Sequence, residues 1–115
     1  MIIENAGLKG LKSELSHLDQ VLEQAGFVRW QWEYYRATYD YKMIDQEENK
    51  DYYLRINARV VEGKLESPRA VLELESFYIG VATFPHGVDY EESQISKTYI
   101  KQAEQKLNEI KQLLS

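Results

Sequence analysis

One short loop holds the side chains best suited to acid–base chemistry: Phe84-Pro85-His86-Gly87-Val88-Asp89-Tyr90. Proline fixes one backbone dihedral and glycine permits unusual ones, so the loop can hold an imidazole in a set direction. Histidine changes charge near neutral pH, which makes His86 the natural acid, base or polar anchor of this chain. Two readings follow. In the ordinary one the loop is a shaped turn and His86 bonds to backbone. In the other, a pocket lies between a sheet and the stretch from Gly80 to Tyr90. His86 is then anchor or base and Asp89 orients it, while Tyr39, Tyr41 and Tyr90 line the cavity. The second histidine, His17, sits among Ser16, Asp19 and Gln20 and reads as a surface residue.

Other chemistries are not encoded. There is no cysteine, hence no thiol nucleophile, disulfide or cysteine metal site. No glycine-rich phosphate loop, nucleophile elbow or paired-histidine zinc helix occurs. Glu91, Glu92 and Asp89 read as favourable charge near a helix start rather than a cation site. The run from Asp45 to Asp51 lacks the spacing of a calcium loop and reads as a solvated hairpin tip. No metal and no cofactor is expected.

Such residues need a scaffold, and the hydrophobic periods describe one. Ile2 and Ile3 can open a short strand. Ser13 can cap a helix over about 14–25, whose Leu15, Leu18, Val21, Leu22 and Ala25 share a face, with Gly26 as its left-handed terminator. From Phe27 the period becomes two. Val28, Trp30, Trp32 and Tyr34 form the expected buried side of the next strand, with Arg29, Gln31 and Glu33 opposite. Tyr39, Tyr41 and Met43 follow, then Tyr52, Leu54, Ile56, Ala58 and Val60. The last long strand sets Leu72, Leu74, Ser76 and Tyr78 against Val71, Glu73, Glu75 and Phe77. A helix from about Ser96 to Leu114 carries the stripe Ile100, Ala103, Leu107, Ile110 and Leu114.

The expected fold is α+β: an antiparallel four- to five-stranded sheet with two helices packed on one face, in the order β-α-β-β-β-β-α, as one domain over 1–115. Facing residues in a ladder share a side, so the first hairpin must pair odd with even numbers, as in Tyr41 near Leu54 or Ile56. The second must pair even with even, as in Ala58 near Leu74. This sets Asp40 and Lys42 on the same face as Arg55, in reach of a cross-strand ion pair. The helices should cover the aromatic face and leave a charged one bearing Arg29, Glu33, Asp40, Lys42, Arg55, Arg59, Glu73 and Glu75.

Composition narrows the partners. With 115 residues, 43% of them hydrophobic and 29% charged, the chain can bury a core without staples. Nine tyrosines, two tryptophans and three phenylalanines suit a tyrosine-rich sheet, or a ring-lined pocket. The net charge of −5, with cations and acids interleaved, argues against nucleic acid. No apolar run approaches the roughly 20 residues of a membrane span, and the first residues do not resemble a signal peptide. A cytoplasmic location is expected.

Several segments together resemble the YugN-like family of small proteins from Bacillus and its relatives. They are Gly26-Phe27 ahead of a tryptophan-bearing strand, Thr38-Tyr39-Asp40-Tyr41, Tyr52-Tyr53-Leu54-Arg55, Val61-Glu62-Gly63 and the Phe84–Tyr90 loop. The resemblance covers nearly the whole chain. It implies a cytoplasmic bacterial α+β protein and carries over no mechanism and no catalytic residues. The leading expectation is therefore a non-enzymatic protein that acts through binding, as a homodimer formed across the uncovered sheet face or its edge. The alternative is a small-molecule binding protein or enzyme using the His86 loop.

Overall fold

The computed structural model describes residues 2–3, 7–65, 67–83, 87–89 and 95–114, with backbone alone at 31–33, 83 and 87–89. Eight elements follow in order: β1 (Lys12–Glu14), α1 (Leu15–Gln24), β2 (Val28–Glu33), β3 (Arg36–Asp45), β4 (Lys50–Glu62), β5 (Val71–Thr83), β6 (Gly87–Asp89) and α2 (Lys97–Leu114). The architecture is the expected α+β one, an antiparallel sheet with two helices on one face, plus a three-residue strand, β6. Strands lie in the order β1-β5-β4-β3-β2, and β6 also pairs with β5.

The first strand is not where the two isoleucines suggested. Ile2 makes only a single bridge to Tyr78, and the Ile3 N–H donates to the Phe77 carbonyl at 2.8 Å. The true β1 lies directly before α1 and pairs with Val71 to Glu73. With Gly10 and Leu11 bonding to Leu74 and β6 pairing with 81–83, the outer edge of β5 is bonded at intervals along its length. An edge that would invite foreign strands is thereby closed.

Helix α1 buries Leu15, Leu18, Val21 and Leu22, the face its spacing predicts. It stops in a Schellman motif. Gly26 takes φ +96°, its N–H reaches the Glu23 carbonyl, and the Phe27 N–H reaches back to Leu22 at 2.8 Å. Its start differs from the expected serine cap. Ser13 bonds to the Glu14 carbonyl, and the cap position, Glu14, makes no side-chain capping bond. The orphan N–H groups of the first turn go instead to backbone: Leu15 to the Ala70 carbonyl at 2.7 Å and Ser16 to that of Pro68 at 3.0 Å. The β4–β5 connection thus supplies what a capping side chain would.

The core lies between the helices and one sheet face. Tyr39, Met43, Tyr52, Leu54, Ile56, Leu72, Leu74, Phe77, Ile79 and Val81 meet the α1 residues and Ala103, Leu107 and Ile110 of α2 there. The first hairpin pairs odd with even, Tyr41 opposite Leu54 and Tyr39 opposite Ile56. In the second, Ala58 faces Leu74 as expected, but Ile56 faces Phe77 and Leu54 faces Ile79. The cause is a β-bulge: Asn57 pairs with Ser76 and Ala58 with Leu74, so Glu75 stands unopposed. Beyond it the strand has turned over. Phe77, not Ser76 or Tyr78, faces the core.

A second bulge reverses the tryptophan strand. Tyr34-Tyr35 is a two-residue turn that sets Glu33 opposite Arg36. Continued without interruption, this register would place Trp30 opposite buried Tyr39. The irregularity between Gln31 and Glu33 moves Arg29 opposite Tyr39 and Trp30 opposite Thr38 instead. Val28 and Trp30 are therefore 59% and 49% exposed on the uncovered face, while Arg29 turns towards α1. The expected faces of β2 are exchanged.

Candidate functional site

Tyr39 is fully buried, and its hydroxyl donates to Asp19 Oδ1 on α1 at 2.7 Å. The same oxygen lies 3.4 Å from Arg29 Nε. Burial first, then the bond and the negative charge of Asp19, raise the Tyr39 pKa far above the ordinary tyrosine value, with Arg29 opposing weakly. A phenol held neutral in this way gives up its proton reluctantly. The arrangement satisfies a buried hydroxyl and ties α1 to β3. Arg29 Nη1 is buried with no hydrogen-bond partner. The outer side of this network opens into a shallow groove of about 790 Å³ between α1 and the β4–β5 connection, lined by Ser16, Asp19, Glu23, Arg29, Leu65 and Pro68 among others.

Tyr41 is half-buried on the same face. Its ring packs against Phe27 at a centroid distance of 5.4 Å, and Lys106 Nζ stands 4.6 Å from its centre. That is a cation–π contact that ties α2 to the sheet. Both tyrosines are thus packed by helices. His86 and Tyr90 lie outside the described residues, and Asp89 enters as backbone opposite Val81. Asp89 and Val81 share a row with Tyr52 and Met43, whereas Tyr39 shares one with Ile56 and Phe77. The Tyr39 and Asp89 backbones are therefore separated by about 13 Å along the strands and about 14 Å across them.

The open face carries the other arrangement. Asp40 and Arg55 make the expected cross-strand pair, here bidentate, with Nε to Oδ1 at 2.8 Å and Nη2 to Oδ2 at 2.9 Å. Lys42 pairs with Asp51 at 3.4 Å; Arg59 pairs with Glu75 at 2.8 Å and Glu73 at 3.6 Å. Between these pairs a row of polar side chains crosses three strands. Thr38 Oγ1 donates to Asn57 Oδ1 at 3.0 Å, and Asn57 Nδ2 donates to Ser76 Oγ at 3.1 Å.

This row belongs to a cleft of about 350 Å³, whose walls include Arg36, Thr38, Asn57, Glu75, Ser76 and Tyr78. It sits where the Glu75 bulge interrupts the β4–β5 ladder. Bulges bend a strand and re-aim side chains, and they recur beside binding sites. The cleft is thus a product of the same irregularity that period-two reading misses. An uninterrupted register from Ala58 and Leu74 would set Asn57 opposite Glu75, so the column of Thr38, Asn57 and Ser76 forms only with the bulge. Among the described residues no group of three or more metal-ligating side chains converges. The acidic hairpin tip instead bonds internally, with Asp45 Oδ1 accepting from the Glu47 and Glu48 N–H groups.

Comparison with known proteins is consistent across three kinds of match. The model of the YugN-like family matches residues 4–112. The uncharacterised protein YlbA of Bacillus subtilis (strain 168) is 44% identical over 90 residues, covering 77% of this chain and 73% of that one. The crystal structure of the uncharacterised conserved protein YugN from Geobacillus kaustophilus HTA426 superposes with a TM-score of 0.85 at 36% identity, covering 99% of this chain and 94% of that one.

Proposed function

The chain belongs to the YugN-like family, and we propose that it works by reversible binding of a small polar molecule on the open face of its sheet. The carrying observation is the cleft at the Glu75 bulge, with its hydrogen-bonded floor of Thr38, Asn57 and Ser76. Its volume falls at the small end of ordinary ligand sites, and three paired strands hold its floor rigid. The described residues bring no nucleophile next to a base, which favours binding over bond-making. A cytoplasmic setting is part of the proposal and rests on the cysteine-free composition. No helix of the described residues is long and apolar enough to cross a membrane.

The test is a thermal-shift screen with a metabolite library. A ligand present at a hundred times its dissociation constant adds about 2.7 kcal/mol of stability. Hits should raise the melting temperature with concentration and should perturb Asn57 and Ser76. A full library without a hit at those residues counts against the proposal.

A second reading, homodimerisation, draws on a different observation. Val28, Trp30, Tyr34 and Tyr35, all on β2 and its turn, are large and exposed. A bulge and the inward-turned charge of Arg29 blunt the β2 edge against strand pairing, so a second copy would meet this apolar corner face-on. Two such patches related by a two-fold axis cover each other with no need for charge complementarity. Sedimentation at micromolar concentration should then show a dimer for the native chain and a monomer for Trp30→Asp. A native chain that sediments as a monomer removes this reading.

A further inference from the structure

We propose that the open-face cleft takes a neutral sugar; this names the ligand class for the open face as a binding surface, and rests on that reading. Charge is the first selector. The cleft walls carry one cation and one acid, Arg36 and Glu75. Glu75 is bonded to Arg59 at 2.8 Å, and Arg36 stands opposite Glu33 in the β2–β3 ladder. One row further along the same face, Asp40 and Arg55 close on each other in their bidentate pair. Each cation here has an acid at a neighbouring position. An ionic ligand entering the cleft gives up hydration without gaining a free counter-ion, a cost that a neutral molecule does not carry.

Hydrogen-bonding roles are the second selector. Within the row, Thr38 donates its only hydroxyl hydrogen to Asn57 and still has lone pairs to accept with. Ser76 accepts from Asn57 and still has its hydrogen. Asn57, between them, uses one of its two amide hydrogens and one of its two carbonyl lone pairs, and one of each remains. Turning the amide over exchanges the roles of the two hydroxyls and leaves those of Asn57 the same. The floor therefore asks for donors and acceptors side by side. Hydroxyl groups meet that demand, because each gives one hydrogen and accepts with two lone pairs. A single amide would pair with Asn57 alone, whereas the floor runs roughly 10 Å across three strands. A molecule carrying several hydroxyls spans it.

Shape is the third. About 350 Å³ is room for roughly twelve waters, the space of a mono- or disaccharide. Tyr78 lines the cleft, and Trp30 lies directly across from Thr38 on the same open face. A sugar ring carries hydroxyls at its rim and C–H bonds on its face. The electron-rich face of an aromatic ring attracts those hydrogens, while the polar floor takes the rim.

The experiment is an amide NMR titration of the labelled full chain with glucose, galactose, maltose and cellobiose, and with glucosamine and glucuronate as ionic counterparts. At least one neutral sugar should shift the Asn57 side-chain amide and the backbone signals of Thr38, Ser76 and Tyr78. Glucosamine and glucuronate should bind at least tenfold more weakly than the best neutral sugar. The double variant Thr38→Val, Ser76→Ala keeps the strands and removes both hydroxyls of the floor. It should weaken that sugar at least tenfold while still melting cooperatively. Equal sugar binding by the double variant overturns the proposal, as do shifts confined to residues away from the cleft. Either ionic sugar matching the best neutral one overturns the neutral class. A cleft silent to all four neutral sugars overturns the sugar. If metabolites from the thermal-shift screen still perturb Asn57 and Ser76, the open-face reading stands without it; if none does, both fall.

Discussion

Replacing Tyr39 with alanine should cost the fold about 3–5 kcal/mol, and replacing it with phenylalanine only about 1 kcal/mol. The ring is wholly enclosed between α1 and the sheet. Its removal leaves a large cavity in a close-packed interior, which relaxes only in part. At roughly 4 °C per kcal/mol for a domain near this size, the alanine variant should melt more than 10 °C below the native chain. Phenylalanine keeps the ring and loses only the bond to Asp19. Urea unfolding of the two variants separates packing from hydrogen bonding. Equal losses would mean that the bond to Asp19, not the ring, dominates.

The same residue sets a pH dependence. Its folded pKa is raised above the unfolded value of about 10. A group raised in this way contributes stability that is fully present below the unfolded pKa and is lost as pH climbs towards the folded one. The native chain should therefore lose stability above about pH 10, where unfolded Tyr39 ionises and folded Tyr39 does not. The chain holds eight other tyrosines, so the informative quantity is the native-minus-Tyr39→Phe difference. It should be flat below about pH 10 and fall above it. A flat difference to higher pH would show that the hydroxyl is not shielded as its burial implies.

The elements were legible because each follows from a period. The α1 stripe, its glycine terminator, the α2 stripe and the odd–even pairing of the first hairpin all rest on regular spacing of apolar residues. Two of the departures share one cause, a single extra residue in a strand. At Glu75 it moves Phe77, Ile79 and Val81 onto the core face. Near Trp32 it moves Val28 and Trp30 off that face and Arg29 onto it. Alternation gives the period on each side of a bulge and gives no sign of the bulge itself. Glu75 and Trp32 are residue types that a regular strand also accepts.

Two other departures have a different origin. Helix α1 begins without a serine cap because carbonyls of Pro68 and Ala70, more than fifty residues away in sequence, take its first N–H groups. Local sequence does not hold that information. The cleft at the Glu75 bulge was not anticipated for a related reason. Attention to titratable residues led to His86, Asp89 and Tyr90, and to Tyr39 and Tyr41, which the structure packs under helices. The cleft instead draws on Thr38, Asn57 and Ser76, residues without perturbed acidity whose only signal is their alignment across three strands. That alignment exists because of the bulge.

Deleting Glu75 should accordingly leave the fold standing while removing the cleft. In the present ladder Ala58 faces Leu74 and Asn57 faces Ser76, so Glu75 is the one residue between them without an opposite. Taking it out joins the two halves of the ladder into one regular register. Phe77 stays opposite Ile56, and Leu72 stays opposite Val60, so neither half changes face. The interactions lost are the exposed Arg59–Glu75 pair, worth about 0–1 kcal/mol, and whatever twist the bulge confers. The unfolding free energy from urea should change by about 1 kcal/mol or less, and the signals of Phe77 and Ile79 should keep their core character. Binding of hits from the thermal-shift screen should nonetheless fall at least tenfold, because a regular ladder closes the gap in which Asn57 and Ser76 meet the cleft. Loss of more than about 3 kcal/mol would instead assign the bulge to the core, as the source of the twist that lets two helices lie on one face. Full stability with undiminished binding would move the ligand elsewhere on the sheet. The deletion thereby asks whether the irregularity that hid the cleft from the sequence is also what creates it.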